Sequence, residues 1–120
     1  MQTDFLRLDH LTEIFADDKS ALRSFLTDLC AEAGRLESQI AKACREHDWA
    51  RAARQSHELK GVCANSGCDE AATTAAALEV IVTNGPYDAV SLHVDRLRSV
   101  IERLRGAIGV ALDARPSHSK

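Results

Sequence analysis

From Lys19 to about Glu46 the apolar positions Leu22, Phe25, Leu29, Ala33, Leu36, Ile40 and Ala43 recur at alternating steps of three and four. That spacing lines one face of an α-helix, so it predicts a long helix with a single buried stripe. Upstream, Leu8, Leu11 and Phe15 predict a short opening helix, closed near "ADDKS", where Asp17 or Asp18 can cap the next. "REHDW" breaks the period. Asp48 is the expected N-cap of a helix that begins at Trp49, runs to about Ser66 and stops at Gly67. Asp69 is the expected cap of an alanine-rich helix through "EAATTAAALEVIVT", which ends at "NGPYD", the strongest turn signal in the chain. The last helix carries Val90, Val94, Leu97, Ile101, Leu104 and Ile108. No strand-like alternation and no internal repeat is present.

Four amphipathic helices with short connections predict an all-α chain, an antiparallel four-helix bundle with the opening helix covering one end. The bundle is expected over residues 1–112, and the polar segment 113–120 is expected to be a flexible tail. Composition sharpens this in three ways. With 120 residues the chain is one domain, and aromatics at 4% beside many alanines favour close-packed helices over a sheet. A net charge of -3 argues against nucleic-acid binding, which calls for a basic patch. No apolar run is long enough for a membrane span and the N-terminus lacks signal-peptide architecture, so a cytoplasmic location is expected. Cys30, Cys44, Cys63 and Cys68 have no Cys-x-x-Cys spacing, and are expected to be reduced thiols that pack as small hydrophobes.

The candidate chemistry sits on the Trp49 helix. At about 100° per residue, Trp49, Ala52, Ser56, Leu59 and Cys63 gather on the core side, and His57 points away from them. Around His57 lie Ala50, Ala53, Gly61 and Ala64, flanked by Arg54 and Lys60. A solvent-facing stripe normally carries long charged side chains, and here its centre is cut down to methyl groups and a hydrogen. Glycine within a helix costs about 1 kcal/mol relative to alanine, so Gly61 needs a packing or access reason. Small residues also serve close helix packing, and a lone exposed histidine usually has no role. Together with the His-x-x-Lys-Gly spacing, however, they point to an accessible nucleophilic imidazole with a cation beside it. That arrangement suits a phosphoryl group carried on nitrogen, its charge offset by the lysine.

At these residues the chain resembles the histidine-containing phosphotransfer (HPt) domain family. The family's His-x-Leu-Lys-Gly, followed six residues later by glycine, stands here as His57, Leu59, Lys60, Gly61 and Gly67, with Asn65 nearby. Asp48–Trp49 and Leu78–Glu79 match two further pairs usual in the family, and the resemblance runs from about Phe5 to Leu104. It implies a monomeric bundle whose histidine accepts a phosphoryl group from an aspartyl phosphate on a receiver domain and passes it to another. Response-regulator receivers and a hybrid sensor histidine kinase are the implied partners. No cofactor of the chain's own is implied, with Mg²⁺ expected on the receiver. In such domains a side chain of the third helix often orients the ring, and Glu79 matches that position; periodicity alone does not say which face it occupies. Ser66, Ala71, Val62 and Cys63 depart in size or polarity from the family pattern, at positions that concern packing.

Rival readings are weaker. "SHELK" also resembles the phosphoacceptor box of sensor histidine kinases, but that box has a proline five residues after the histidine, where Val62 stands here, and no ATP-binding glycine-rich region follows. A non-catalytic helical adaptor would be expected to have lost His57 or Lys60. A metal site using His57, Cys63 and Cys68 is opposed by the helix itself, which turns Cys63 inward and His57 outward.

Overall fold

A computed structural model of the chain describes residues 6–16 and 18–113. Five α-helices follow one another: α1 (Leu8–Phe15), α2 (Lys19–Arg45), α3 (Trp49–Asn65), α4 (Asp69–Asn84) and α5 (Val90–Asp113), with a 3₁₀ turn at Tyr87–Ala89 leading into α5. Among the described residues there is no strand. Side chains fix the helix starts where the orphan N–H groups need acceptors. Asp18 accepts from the Ala21 N–H at 2.9 Å and Asp48 from the Arg51 N–H at 3.3 Å; Asp17 lies outside the described residues.

The helix ends use one device twice. After α3, the Cys68 N–H returns to the Cys63 carbonyl at 2.8 Å and the Gly67 N–H to Ala64 at 3.1 Å, with Gly67 at φ +76°. After α2, Asp48 N–H returns to Ala43 at 2.9 Å and His47 N–H to Cys44 at 3.1 Å, with His47 itself at φ +57°. Both are Schellman ends, which satisfy the last carbonyls and reverse the chain. One expectation needs correcting. Cys68, not Asp69, occupies the cap position of α4, and its side chain makes no capping bond; Asp69 and Glu70 instead lie in the first turn, at the positive end of the helix dipole. α5 continues through Asp113, one residue into the expected tail, because the periodic stripe keeps packing through Leu112; residues 114–120 lie outside the described residues.

Each long helix packs on its sequence neighbour, and α5 closes back on α2, so α2, α3, α4 and α5 form the four sides of an antiparallel bundle. Its core is drawn from every side: Leu29, Leu36 and Ile40 of α2, Leu59 of α3, Leu78 of α4, and Leu97, Ile101, Leu104 and Ile108 of α5 are almost fully buried. With 27 and 24 residues, α2 and α5 span about 40 Å and 36 Å against about 25 Å for α3 and α4. α1 lies against α2, with Leu11 buried and the Phe15 and Phe25 rings 5.3 Å apart. Arg23 ties the start of α2 to the Leu112 carbonyl at 2.6 Å. The Arg105 side chain of α5 crosses α2 at Gly34, where a Cβ would stand only 3.1 Å from Arg105 Cζ, and donates to Cys30 Sγ at 3.4 Å. At the other end His47 stacks on Trp49 (5.1 Å) and Trp49 on Tyr87 (4.9 Å), clamping the α2–α3 turn to the α4–α5 connection.

All four cysteines are free thiols. Burial, with the neighbouring Cys68 adding, pushes the Cys63 thiol up to about 12, and burial, with Asp69 adding, pushes Cys68 up to about 11. In the unfolded chain such thiols ionise near 9.0. The folded state therefore holds its protons to higher pH, and its advantage is complete below pH 9 and lost as pH rises towards 12. The urea midpoint of the wild type should accordingly fall between pH 8 and pH 10.5. A Cys63→Ala, Cys68→Ala protein should show a visibly shallower fall over the same range, whatever its absolute stability.

Candidate functional site

His57 stands at the middle of α3, and its core-facing neighbours Ala52, Ser56, Leu59 and Cys63 are fully buried behind it. The His57 side chain is 66% exposed. Around it Ala50, Arg54 and Ala64 are exposed, while Ala53, Lys60 and Gly61 are half-buried. A Cβ added at Gly61 would meet no other part of the molecule within 4 Å. Internal packing thus gives no reason for glycine there, and the missing side chain clears the outside of the helix. Arg54 and Lys60 make no hydrogen bond or ion pair with any described residue, so both cations beside the imidazole are unpaired.

The ring is held from α4. His57 Nδ1 lies 3.1 Å from Glu79 Oε2 and 3.3 Å from Oε1, with the Glu79 side chain 29% exposed. A carboxylate accepts only, so the neutral imidazole must donate Nδ1–H, which leaves the Nε2 lone pair free. What brings Glu79 within reach is the composition of the seam. Although α3 and α4 are the shortest sides of the bundle, they share its most extensive backbone contact. Small residues are buried on both helices: Ala52 and Ser56 on α3, and Ala71, Ala72 and Ala75 on α4.

On its other flank α3 is fastened to α2 by polar groups that the periodicity does not reveal. Gln55 Nε2 donates to Gln39 Oε1 at 2.6 Å, and Gln39 Oε1 also accepts from Arg35 at 3.2 Å. Arg35 grips Glu32 with two hydrogen bonds of 3.0 Å and 2.7 Å, which hold the Glu32 carboxyl below its usual range, and lies 3.9 Å from Glu58. Only the i, i+3 charge pair on α2 carried a readable signal. Ser66, one of the departures, is buried and returns its hydroxyl to the Val62 carbonyl at 2.8 Å. Ser56 is different: its hydroxyl is buried and has no partner. Among the described residues no three His, Cys, Asp or Glu side chains are grouped to hold a metal ion.

A model of the Hpt domain family matches residues 21–107. That span takes in α2, α3, α4 and most of α5, together with His57, Lys60, Gly61 and Glu79. Comparison with curated proteins gave no match, and comparison with solved structures gave none.

Two substitutions test this geometry without reference to activity. Ser56→Ala removes a buried hydroxyl with no partner and should raise stability by about 1 kcal/mol, whereas Leu59→Ala three residues on should cost about 2–5 kcal/mol, both read from urea unfolding. Glu79→Ala should release the imidazole tautomer: nitrogen NMR of neutral His57 should show Nδ1–H in the wild type and a mixture in the variant.

Proposed function

The chain belongs to the Hpt domain family, and from that premise we propose that it is a phosphorelay intermediate working through His57. Hpt domains take part in phosphotransfer within phosphorelays and interact with receiver domains. In the proposed step the Nε2 lone pair of His57 attacks the phosphorus of a receiver's aspartyl phosphate. The N–P bond forms, the P–O bond to the aspartate breaks, and the aspartate leaves as a carboxylate. Glu79 keeps the Nδ1 proton through the transfer, so no other base is called for. Attack by a second receiver's aspartate on the same phosphorus reverses these bond changes and discharges the histidine. Mg²⁺, where the reaction uses it, belongs to the receiver.

The observation that carries the reading is one imidazole with Nδ1 held by a carboxylate and Nε2 turned to a stripped helix face. Phosphoryl transfer depends mainly on positioning and on charge stabilisation, and this face offers both. Lys60 is proposed to offset the phosphoryl oxygens, Gly61 to admit the partner's backbone, and Ala50, Ala53, Arg54 and Ala64 to form the docking surface. The apolar stripes of all four long helices are consumed inside one chain, which favours a monomer over the dimeric phosphoacceptor module of a sensor kinase. No described helix is long and apolar enough to cross a membrane, in keeping with the proposed cytoplasmic role.

Label transfer from phosphorylated receiver domains tests the proposal. His57→Gln should take up no acid-labile phosphate, which makes His57 the sole acceptor among the five histidines. Lys60→Arg should keep much of the rate, and Lys60→Ala should lose about ten- to thirtyfold, about 1–2 kcal/mol of barrier, with folding unchanged. Gly61→Gln should melt at the same or a slightly higher temperature yet transfer poorly, since glutamine is the better helix former and its side chain would project into the partner's space. Normal transfer by His57→Gln would end the proposal.

A further inference from the structure

Away from the His57 face, at the end of the bundle closed by the ring stack, a groove of about 330 Å³ opens between the C-terminal part of α2 and the N-terminal part of α5. Its cause is legible in side-chain size. Ala41 and Cys44 of α2 and Val90 and Val94 of α5 line it, whereas leucine and isoleucine make up most of the buried positions further along these two helices. Trp49 lines one end, stacked with His47 and with Tyr87, which also line it.

Charge decides what such a groove would take. Two guanidiniums, Arg45 and Arg98, line it with one carboxylate, Asp95, and a second, Glu37, lies beside Arg98. Arg45 has no hydrogen bond or ion pair among the described residues, and Arg98 meets Glu37 and Asp95 only at 3.8 Å each. Each guanidinium carries five N–H donors in a planar fork suited to carboxylate, sulfonate or phosphate oxygens; those of Arg45 are uncommitted, and Arg98 makes no hydrogen bond within its two longer ion pairs. Ser91, in the first turn of α5, also lines it. The volume lies at the small end of ligand pockets, which span roughly 300–1,000 Å³.

From this combination we infer that the groove binds a small amphiphilic anion: an apolar body of one or two rings on the Ala41–Val94 floor, its acidic group between Arg45 and Arg98. Trp49 and His57 are eight residues apart on α3, about 12 Å along its axis, so the ligand would sit beside the phosphoacceptor face without covering it.

Naphthalenesulfonate is a suitable probe, followed by amide proton–nitrogen correlation spectra of the full chain. The expected result is saturable one-site binding with a dissociation constant on the order of 1 mM or tighter, the largest shifts falling at Ala41, Arg45, Ser91 and Val94. The neutral analogue naphthalenemethanol should bind at least tenfold more weakly, and so should the sulfonate to an Arg45→Gln, Arg98→Gln protein of unchanged helix content. Ala41→Leu, which fills the floor, should abolish binding. Shifts that fail to saturate, that centre on His57 and Lys60, or that survive the double arginine replacement would overturn the inference.

Discussion

The His57 face depends on how closely α4 can approach α3. Helix axes in contact lie roughly 8–10 Å apart, and the side chains at the seam decide where in that range they settle. Buried alanines and one serine on these two helices favour the short end, and a glutamate on α4 meets an imidazole on α3 at 3.1 Å. Leucines there would lengthen the gap and leave Glu79 in solvent. Close approach has a stability cost, because each buried CH₂ forgone is worth about 0.8 kcal/mol. The bundle offsets it on the opposite side, where α2 and α5 supply most of its leucine and isoleucine core. Two long helices hold the fold together and two short ones shape the site.

This division explains what could be read from the chain alone. α2 and α5 announce themselves through leucine and isoleucine at steps of three and four, and their starts and ends fall within a residue or so of expectation. The outward direction of His57 was equally legible, since α3 has five buried or half-buried residues grouped on the other side. α4 was harder. Its alanines are small on every face, so periodicity could not orient Glu79; only the packed helix pair places it against the ring. Contacts between residues distant in sequence were also invisible: Trp49 on Tyr87, Gln55 on Gln39, Arg105 over Gly34. Cys68 in the cap position of α4 was missed because Asp69 is the better capping residue, and the Schellman geometry after Gly67 set the register instead.

The polar groups of α3 fall into two kinds. Those that face α2 are partly committed: the Gln55 amide nitrogen to Gln39, its oxygen left without a partner, and Glu58 near an arginine already gripped by Glu32. Those beside His57 are not, and both Arg54 and Lys60 stand without partners among the described residues. A protein stabilised by its surface charges would have paired them, though exposed pairs add only about 0–1 kcal/mol. Leaving them free costs the fold little and keeps two cations available to an anion arriving from outside.

A phosphoryl group on Nε2 would bring about -1.5 to -2 charge to this face, and Glu79 already supplies a carboxylate on the other side of the ring. Those like charges repel across the imidazole. The same carboxylate accepts the Nδ1 proton, whose positive character grows once Nε2 is phosphorylated, so its attraction to the ring strengthens as its repulsion of the phosphoryl oxygens appears. In the proposed transfer Lys60 and Arg54, which have no partner among the described residues and flank His57 one turn to either side, would oppose that repulsion. The balance is partial because both are partly open to water and screened by salt. For the proposed relay role an incomplete balance is the useful one: a fully neutralised phosphoryl group would stay, and an unopposed one would not load.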